Sequence, residues 1–179
     1  MRWWAAIALV LICNPGIAQE RVRGTITSVK GDVLVVNDKQ QVRIGEKTEI
    51  VYTQLIALAE IRPGDFLGVT SSTKRADGTL TAYEVRRFPK PLNPGHRPFD
   101  GRDDQTMTNA TVEAVVQASS GRELTMTYQG GSQKIVVPES ASVSTLVPGN
   151  RAQLVVGAPV NLTMDAAGTA LRIQVSPKK

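Results

Sequence analysis

The sequence predicts a mainly β protein built from two small barrels in tandem. Ten short runs rich in Val, Ile, Leu and Thr are separated every eight to twelve residues by Gly, Asp, Asn or Pro, which is the pattern of successive strands. The order of segments in the first half recurs in the second half, offset by 86 to 93 residues. We therefore expect two OB-like Greek-key barrels, residues 19–90 and 108–179, joined by a Pro/Asp-rich connector at residues 91–107.

Residues 1–18 are typical of a secretory signal peptide. A positive charge precedes an apolar run, and Gly16 and Ala18 supply the small residues expected before a cleavage site at Gln19. No later segment approaches the ~20 apolar residues that a transmembrane helix needs. Cleavage would remove Cys13, the sole cysteine, and lower the net charge from +5 to +4. We expect a periplasmic or secreted protein that has no membrane span after the signal is removed.

Five strands and one short helix account for the first barrel. The strand segments are VRGTITSV, DVLVVN, QQVRIG, DFLGVTS and TLTAYEVRRF. Between the third and the fourth, TQLIALAEIRPGD has the apolar spacing of a helix, with Thr53 as its N-cap and Pro63–Gly64 at its end. The helix has fewer than three turns, so we expect it to plug the barrel end and to depend on packing.

The second barrel follows the same plan. Its strand segments are NATVEAVVQ, RELTMTY, SQKIVVP, APVNLTM and TALRIQVS. Leu124, Met126 and Tyr128 alternate on one face, with the period of two that a strand requires. TLVPGNRAQLVVG stands where the first half has its helix, and Pro148 and Gly149 predict a shorter turn there.

The connector carries the side chains best suited to a specific contact. Its segment GHRPFDGRDD holds the only histidine of the chain. A flexible linker would be rich in Gly and Ser, whereas prolines fix the backbone here. One interpretation is a strap between the barrels, and a second is a surface for an organic or protein ligand, formed by His96, Arg97, Phe99 and Asp100. A third is a divalent metal site formed by His96, Asp100, Asp103 and Asp104.

Catalysis and nucleic-acid binding are not expected. No GxSxG segment is present, and the sole histidine lies in a proline-rich connector rather than at a strand end. OB folds bind nucleic acid with aromatic residues on strands two and three, and DVLVVNDKQQVRI contains none. We expect no enzyme activity and no cofactor, unless the connector binds a metal ion.

The segments RVRGTITSVKGDVLVV, LAEIRPGDFLGV, GTLTAYEVRRFP, GHRPFD, TMTNATVEAVV and YQGGSQKIVVP carry a resemblance to a known family. The chain resembles a bacterial family of secreted tandem β-barrel proteins of unknown function, whose members are sometimes labelled metal ABC transporter permeases. The resemblance extends from Val22 to Val175, and GHRPFD and MTNATV are its most specific parts. It implies the tandem-barrel fold. The permease label does not fit, because a permease needs several membrane spans.

The leading hypothesis is a non-enzymatic periplasmic binding or adaptor protein whose partner is an unidentified protein or envelope component. Its contact surface would be the groove between the barrels, bordered by the connector. The alternative is a periplasmic protein that binds or delivers a divalent metal through His96 and the nearby aspartates. In the first case Phe99 should be buried and His96 hydrogen-bonded within the protein. In the second, His96 should face solvent with two carboxylates within reach.

Overall fold

A computed structural model describes residues 19–72, 76–99, 102–118 and 121–178. The predicted signal segment, residues 1–18, lies outside these ranges. The described chain is mainly β, with no helix of seven residues or more within it. None of the helices in the described ranges is long and apolar enough to cross a membrane.

Within these described ranges, twelve strands form one hydrogen-bonded sheet. Ten of them coincide with the strand segments predicted from the sequence, while β6 and β10 were not predicted. Their bounds are β1 (Glu20–Lys30), β2 (Val33–Val36), β3 (Gln40–Leu55), β4 (Phe66–Ser72), β5 (Leu80–Phe88), β6 (Gly95–Phe99), β7 (Arg102–Ala118), β8 (Gly121–Tyr128), β9 (Gly131–Val137), β10 (Ser142–Pro148), β11 (Pro159–Met164) and β12 (Thr169–Val175).

Five of these strands close into a barrel. The hydrogen-bonded path runs β3–β2–β1–β11–β12, and parallel pairing of β12 with β3 closes it. Apolar side chains that alternate along the strands fill the interior, among them Ile26, Leu34, Leu162 and Ile173, each no more than 1% exposed. Their period of two is the alternation that the sequence showed.

A second group of five strands has the same order of pairing. The path runs β9–β8–β7–β4–β5, and β5 returns to β9 through the parallel pairs Leu80↔Ile135 and Thr81↔Val136. A separate apolar core lies inside this group, and it includes Leu67, Leu124 and Met126 at 0% exposure. β10 joins the two groups, because it pairs antiparallel with β3 and parallel with β5.

The two groups exchange hairpins between the halves of the chain. The closed barrel takes β1–β3 from the first half and the β11–β12 hairpin from the second. The other group takes the β4–β5 hairpin from the first half and β7–β9 from the second. Strands from both halves of the chain thus belong to one sheet, and a division into separate domains, residues 19–90 and 108–179, stays a prediction.

Two equivalent turns mark this exchange. Gly64 donates its N–H to the carbonyl oxygen of Val112 at 2.8 Å, and Gly157 donates to the carbonyl oxygen of Ile26 at 2.7 Å. The two glycines have φ angles of 93° and 89°, which other residues rarely adopt. Each bond links one half of the chain to the other, so the repeated turn chemistry fastens both hairpins to the opposite half.

The helix predicted from Thr53 onward is not formed. β3 continues to Leu55, which pairs with Ser144 of β10, and only Leu58–Glu60 form a 3-10 turn. Thr53 is 5% exposed, and its hydroxyl accepts a bond from Gln174 Nε2 at 3.1 Å rather than capping a helix. The strand forms instead of the helix because β3 gains backbone hydrogen bonds by pairing with β10. A helix of fewer than three turns is only marginally stable without such tertiary contacts.

Candidate ligand-binding cleft

Part of the connector, Gly95–Phe99, forms strand β6. β6 pairs antiparallel with the first part of β7, so that His96 lies opposite Thr108 and Arg97 opposite Met107. His96 is half-buried, and its Nδ1 lies 2.9 Å from Oγ1 of Thr108, which is fully buried. This contact fixes the imidazole ring against β7.

Asn109 fastens the chain that leads into β6. Its side chain is 4% exposed, and Nδ2 donates to the carbonyl oxygens of Leu92 and Asn93 at 3.0 and 3.2 Å. Arg97 Nη1 donates to the carbonyl oxygen of Asn93 at 3.2 Å. One buried amide and one exposed guanidinium thus hold the same turn beside β6.

The predicted metal ligands are only partly described. Asp100 and the side chain of Asp103 lie outside the described residues, and Asp104 is exposed on β7. Among the side chains that the structure describes, no group of three His, Cys, Asp or Glu residues could hold a metal ion. The described residues therefore offer no support for a metal site at the connector.

A cleft of about 600 Å³ lies between the outer faces of the two strand groups. Its volume falls within the ~300–1,000 Å³ typical of sites for small organic ligands. Arg97 and Phe99 of the connector line it, and Phe99 is half-buried there. Two of the four predicted contact residues therefore border this cleft. His96 does not line it, and Asp100 is not described.

One wall is the outer face of β5, β4, β7 and β6. Gly68 of β4 pairs with Arg86 on one side and with Asn109 on the other. One step along, Thr70 pairs with Glu84 and Met107. Residues that pair across neighbouring strands point to the same face, so these side chains form two adjacent rows across the wall.

Gly68 leaves room at the floor of this wall. A Cβ atom there would lie 2.6 Å from Phe88 Cε2 and 2.9 Å from Asn109 Oδ1, both closer than ordinary contact. The absence of a side chain lets the Phe88 ring and the Asn109 amide approach the backbone of β4. Glycine at this position therefore shapes the cleft through close approach rather than through its backbone angles.

The opposite wall belongs to the closed barrel. Arg23 of β1 pairs with Asn161 of β11, which in turn pairs with Gln174 of β12. These three side chains form a polar row that lines the cleft, and Arg21 lies two residues before Arg23 on the same face of β1. Gln174 is held in place by its bond to Thr53.

Positive charge dominates the lining. Among the residues that the structure describes, it includes four arginines, Arg21, Arg23, Arg86 and Arg97, and one acidic residue, Glu84. Arg86 contacts the carboxylate of Glu84 through Nη2, and its side chain is 25% exposed. The Nε atom of Arg86 is buried and has no hydrogen-bond partner among the described residues. Arginines therefore outnumber carboxylates among the described residues of the lining.

Comparisons with known proteins give no further assignment. No protein-family model, no curated protein and no solved structure matches the chain. The cleft arginines of β1 and β5 were not predicted as site residues, because about 65 positions separate Arg21 from Arg86 in the sequence. The sequence signal that could have indicated a shared charged face is the alternation of Arg21 and Arg23 along β1.

Proposed function

We propose that the protein is a non-enzymatic periplasmic or secreted binding protein whose cleft accepts an anionic ligand. The observation that carries this proposal is the described part of the lining, in which four arginines and one glutamate face the cleft. Arginines that only keep a basic protein soluble would be distributed over its whole surface. Here they come from three strands, β1, β5 and β6, and face one concave surface.

Arginine suits this role for reasons of geometry and charge. Its planar guanidinium presents a fixed fork of N–H donors that matches a carboxylate or phosphate. Attraction between charges is stronger in a cleft, where protein replaces part of the solvent, than on an open surface. Arg97 is held by Asn93 and Arg86 by Glu84, so both guanidinium groups are partly positioned before a ligand arrives.

We also infer that both strand groups are OB-like barrels, completed by exchange of their last hairpins. Support comes from the shared pairing order, in which the two strands at the ends of each path, β3 with β12 and β9 with β5, are parallel neighbours. The segments that resemble secreted tandem β-barrel proteins agree with this inference. Export is proposed from residues 1–18 alone, and the partner would then be an envelope component.

Titration calorimetry with citrate and pyrophosphate tests the anionic site at low salt. The cleft variant is Arg23→Gln with Arg97→Gln. The matched control is Arg43→Gln with Arg151→Gln, which removes the same charge from exposed positions outside the cleft. We expect at least one anion to bind to the parent protein, and about a tenfold loss of affinity in the cleft variant alone.

Two outcomes would contradict the proposal. One is the absence of heat for both anions at millimolar concentration. The other is an equal loss of affinity in the cleft and control variants, which would indicate attraction to net charge rather than to a site. Far-UV circular dichroism of both variants shows whether they remain folded.

A further inference from the structure

We propose that the natural ligand is an acidic saccharide, a short sugar chain bearing carboxylate or other anionic groups. This inference rests on the proposed anionic site and adds the chemical class of its ligand. It follows from the uncharged part of the lining, which an inorganic anion would leave unused.

Hydrogen-bonding side chains without charge occupy both walls. Thr70 lies on one wall, Asn161 and Gln174 on the other, and Asn93 and Ser176 also line the cleft. A hydroxyl or carboxamide group both donates and accepts hydrogen bonds, whereas a guanidinium only donates. Sugar hydroxyls likewise both donate and accept. The walls therefore match a ligand that carries many hydroxyl groups beside its anionic ones.

Apolar surface lies among these polar groups. Phe88, Phe99 and Met107 line the cleft, and Leu92, which is 49% exposed, lies at the same surface. A sugar ring presents C–H groups on its faces, and such faces pack against aromatic rings and other apolar side chains. The apolar patches are interrupted by arginines and amides, which does not suit the continuous acyl chain of a lipid.

The positive charges are spread out rather than gathered at one point. Arg21 and Arg23 share a face of β1, so their Cα atoms are about 6.6 Å apart at a rise of ~3.3 Å per residue. Arg86 and Arg97 project from different strands, on the wall opposite β1. This arrangement favours a ligand with several anionic groups separated by uncharged parts, and a cleft of about 600 Å³ can hold more than one sugar ring.

The test compares ligands of similar charge on the full mature protein. The saccharide probe is tetragalacturonate, and the matched anion without hydroxyl groups is a tetraglutamate peptide. Maltotetraose supplies the hydroxyl groups without charge. A thymidine tetranucleotide and phosphatidylglycerol vesicles represent the other anionic classes. We expect tetragalacturonate to bind at least tenfold more tightly than any of these.

The variant that isolates the saccharide contribution is Asn161→Ala, because Asn161 is exposed and its loss should leave the fold intact. Its matched control is Gln54→Ala, an exposed amide outside the cleft. We expect Asn161→Ala to weaken tetragalacturonate binding about fivefold, with little effect on tetraglutamate. Gln54→Ala should change neither.

The outcomes separate this inference from the anionic site on which it rests. If tetraglutamate binds as tightly as tetragalacturonate, or Asn161→Ala has no effect, the saccharide assignment is wrong while the anionic site stands. Tighter binding of the tetranucleotide or the vesicles would overturn the assignment in favour of that class. If no anion binds at the cleft, both proposals fail.

Discussion

Replacement of Asn109 by Asp tests the bond network that holds the connector against the cleft. The change keeps the size of the side chain but replaces the two donors of the amide with a carboxylate, which only accepts. Asn109 is 4% exposed and donates to the carbonyl oxygens of Leu92 and Asn93 at 3.0 and 3.2 Å. An ionised carboxylate would face those two oxygens with no hydrogen to share.

The expected loss follows from these contacts. Two hydrogen bonds at about 1 kcal/mol each amount to about 2 kcal/mol of unfolding free energy. An unsatisfied buried acceptor adds about 1–3 kcal/mol, so Asn109→Asp should cost about 3–5 kcal/mol at pH 7.5. Burial and the facing carbonyl oxygens raise the pKa of the introduced carboxyl, because both disfavour its charged form.

The raised pKa gives the prediction a pH signature. The folded variant holds a proton that the unfolded chain releases, so its stability relative to the parent falls as the pH rises from about 4 to 7. At pH 4.5 the protonated carboxyl can donate one bond, and the difference should shrink to about 1–2 kcal/mol.

Urea unfolding at pH 4.5 and 7.5 measures these differences. Asn161→Asp is the control, since it is the same chemical change at an exposed position and should stay within about 0.5 kcal/mol of the parent. The reasoning is refuted if Asn109→Asp costs no more than Asn161→Asp at pH 7.5. It also fails if the cost does not change between the two pH values.

Two further predictions concern the hairpin exchange and export. A fragment of residues 19–90 should unfold at a lower temperature than the full chain, because β4 and β5 lose their partners β7 and β9; a fragment as stable as the full chain would contradict the importance of the exchange. Expression of the full chain in a bacterium should yield periplasmic protein that begins at Gln19, as read by N-terminal sequencing, and recovery of intact chain from the cytosol alone would argue against export.

The strands were readable from the sequence because their signal is local. Apolar residues alternate with polar ones in each segment, and every core strand buries that alternating set, as Leu124 and Met126 do in β8. The 3-10 turn at Arg151–Gln153 also lies where Pro148 and Gly149 predict a short turn. The helix prediction failed because its first residues, Thr53–Leu55, pair with β10 as the end of β3, which leaves room for only a 3-10 turn before Pro63.

The hairpin exchange could not be read from the sequence. Each half contains the same turn and the same hairpin, so the local pattern fits β4–β5 against β1–β3 as well as against β7–β9. The bond from Gly64 to Val112 and its counterpart from Gly157 to Ile26 could each form within or between halves. Contacts over the whole fold decide whether each hairpin pairs within its own half or with the other half. No short segment of the sequence contains those contacts.

The cleft was anticipated only where its residues lie close together in the chain. Arg97 and Phe99 drew attention because they stand in a proline-rich segment beside the sole histidine. The arginines of β1 and β5 supply most of the positive charge of the cleft. They could not be recognised as a group from the sequence, because they lie on opposite walls that only the fold brings together.

The sequence by itself determined the positions of ten strands, since the alternation of apolar residues in each strand is local. It also contained the repeated order of segments and the unusual residues of the connector. The tertiary structure alone decided which hairpin completes which strand group, where β6 lies, and that arginines from three strands share one cleft. The physical reason is that strand pairing is chosen by the summed burial and hydrogen bonding of distant segments.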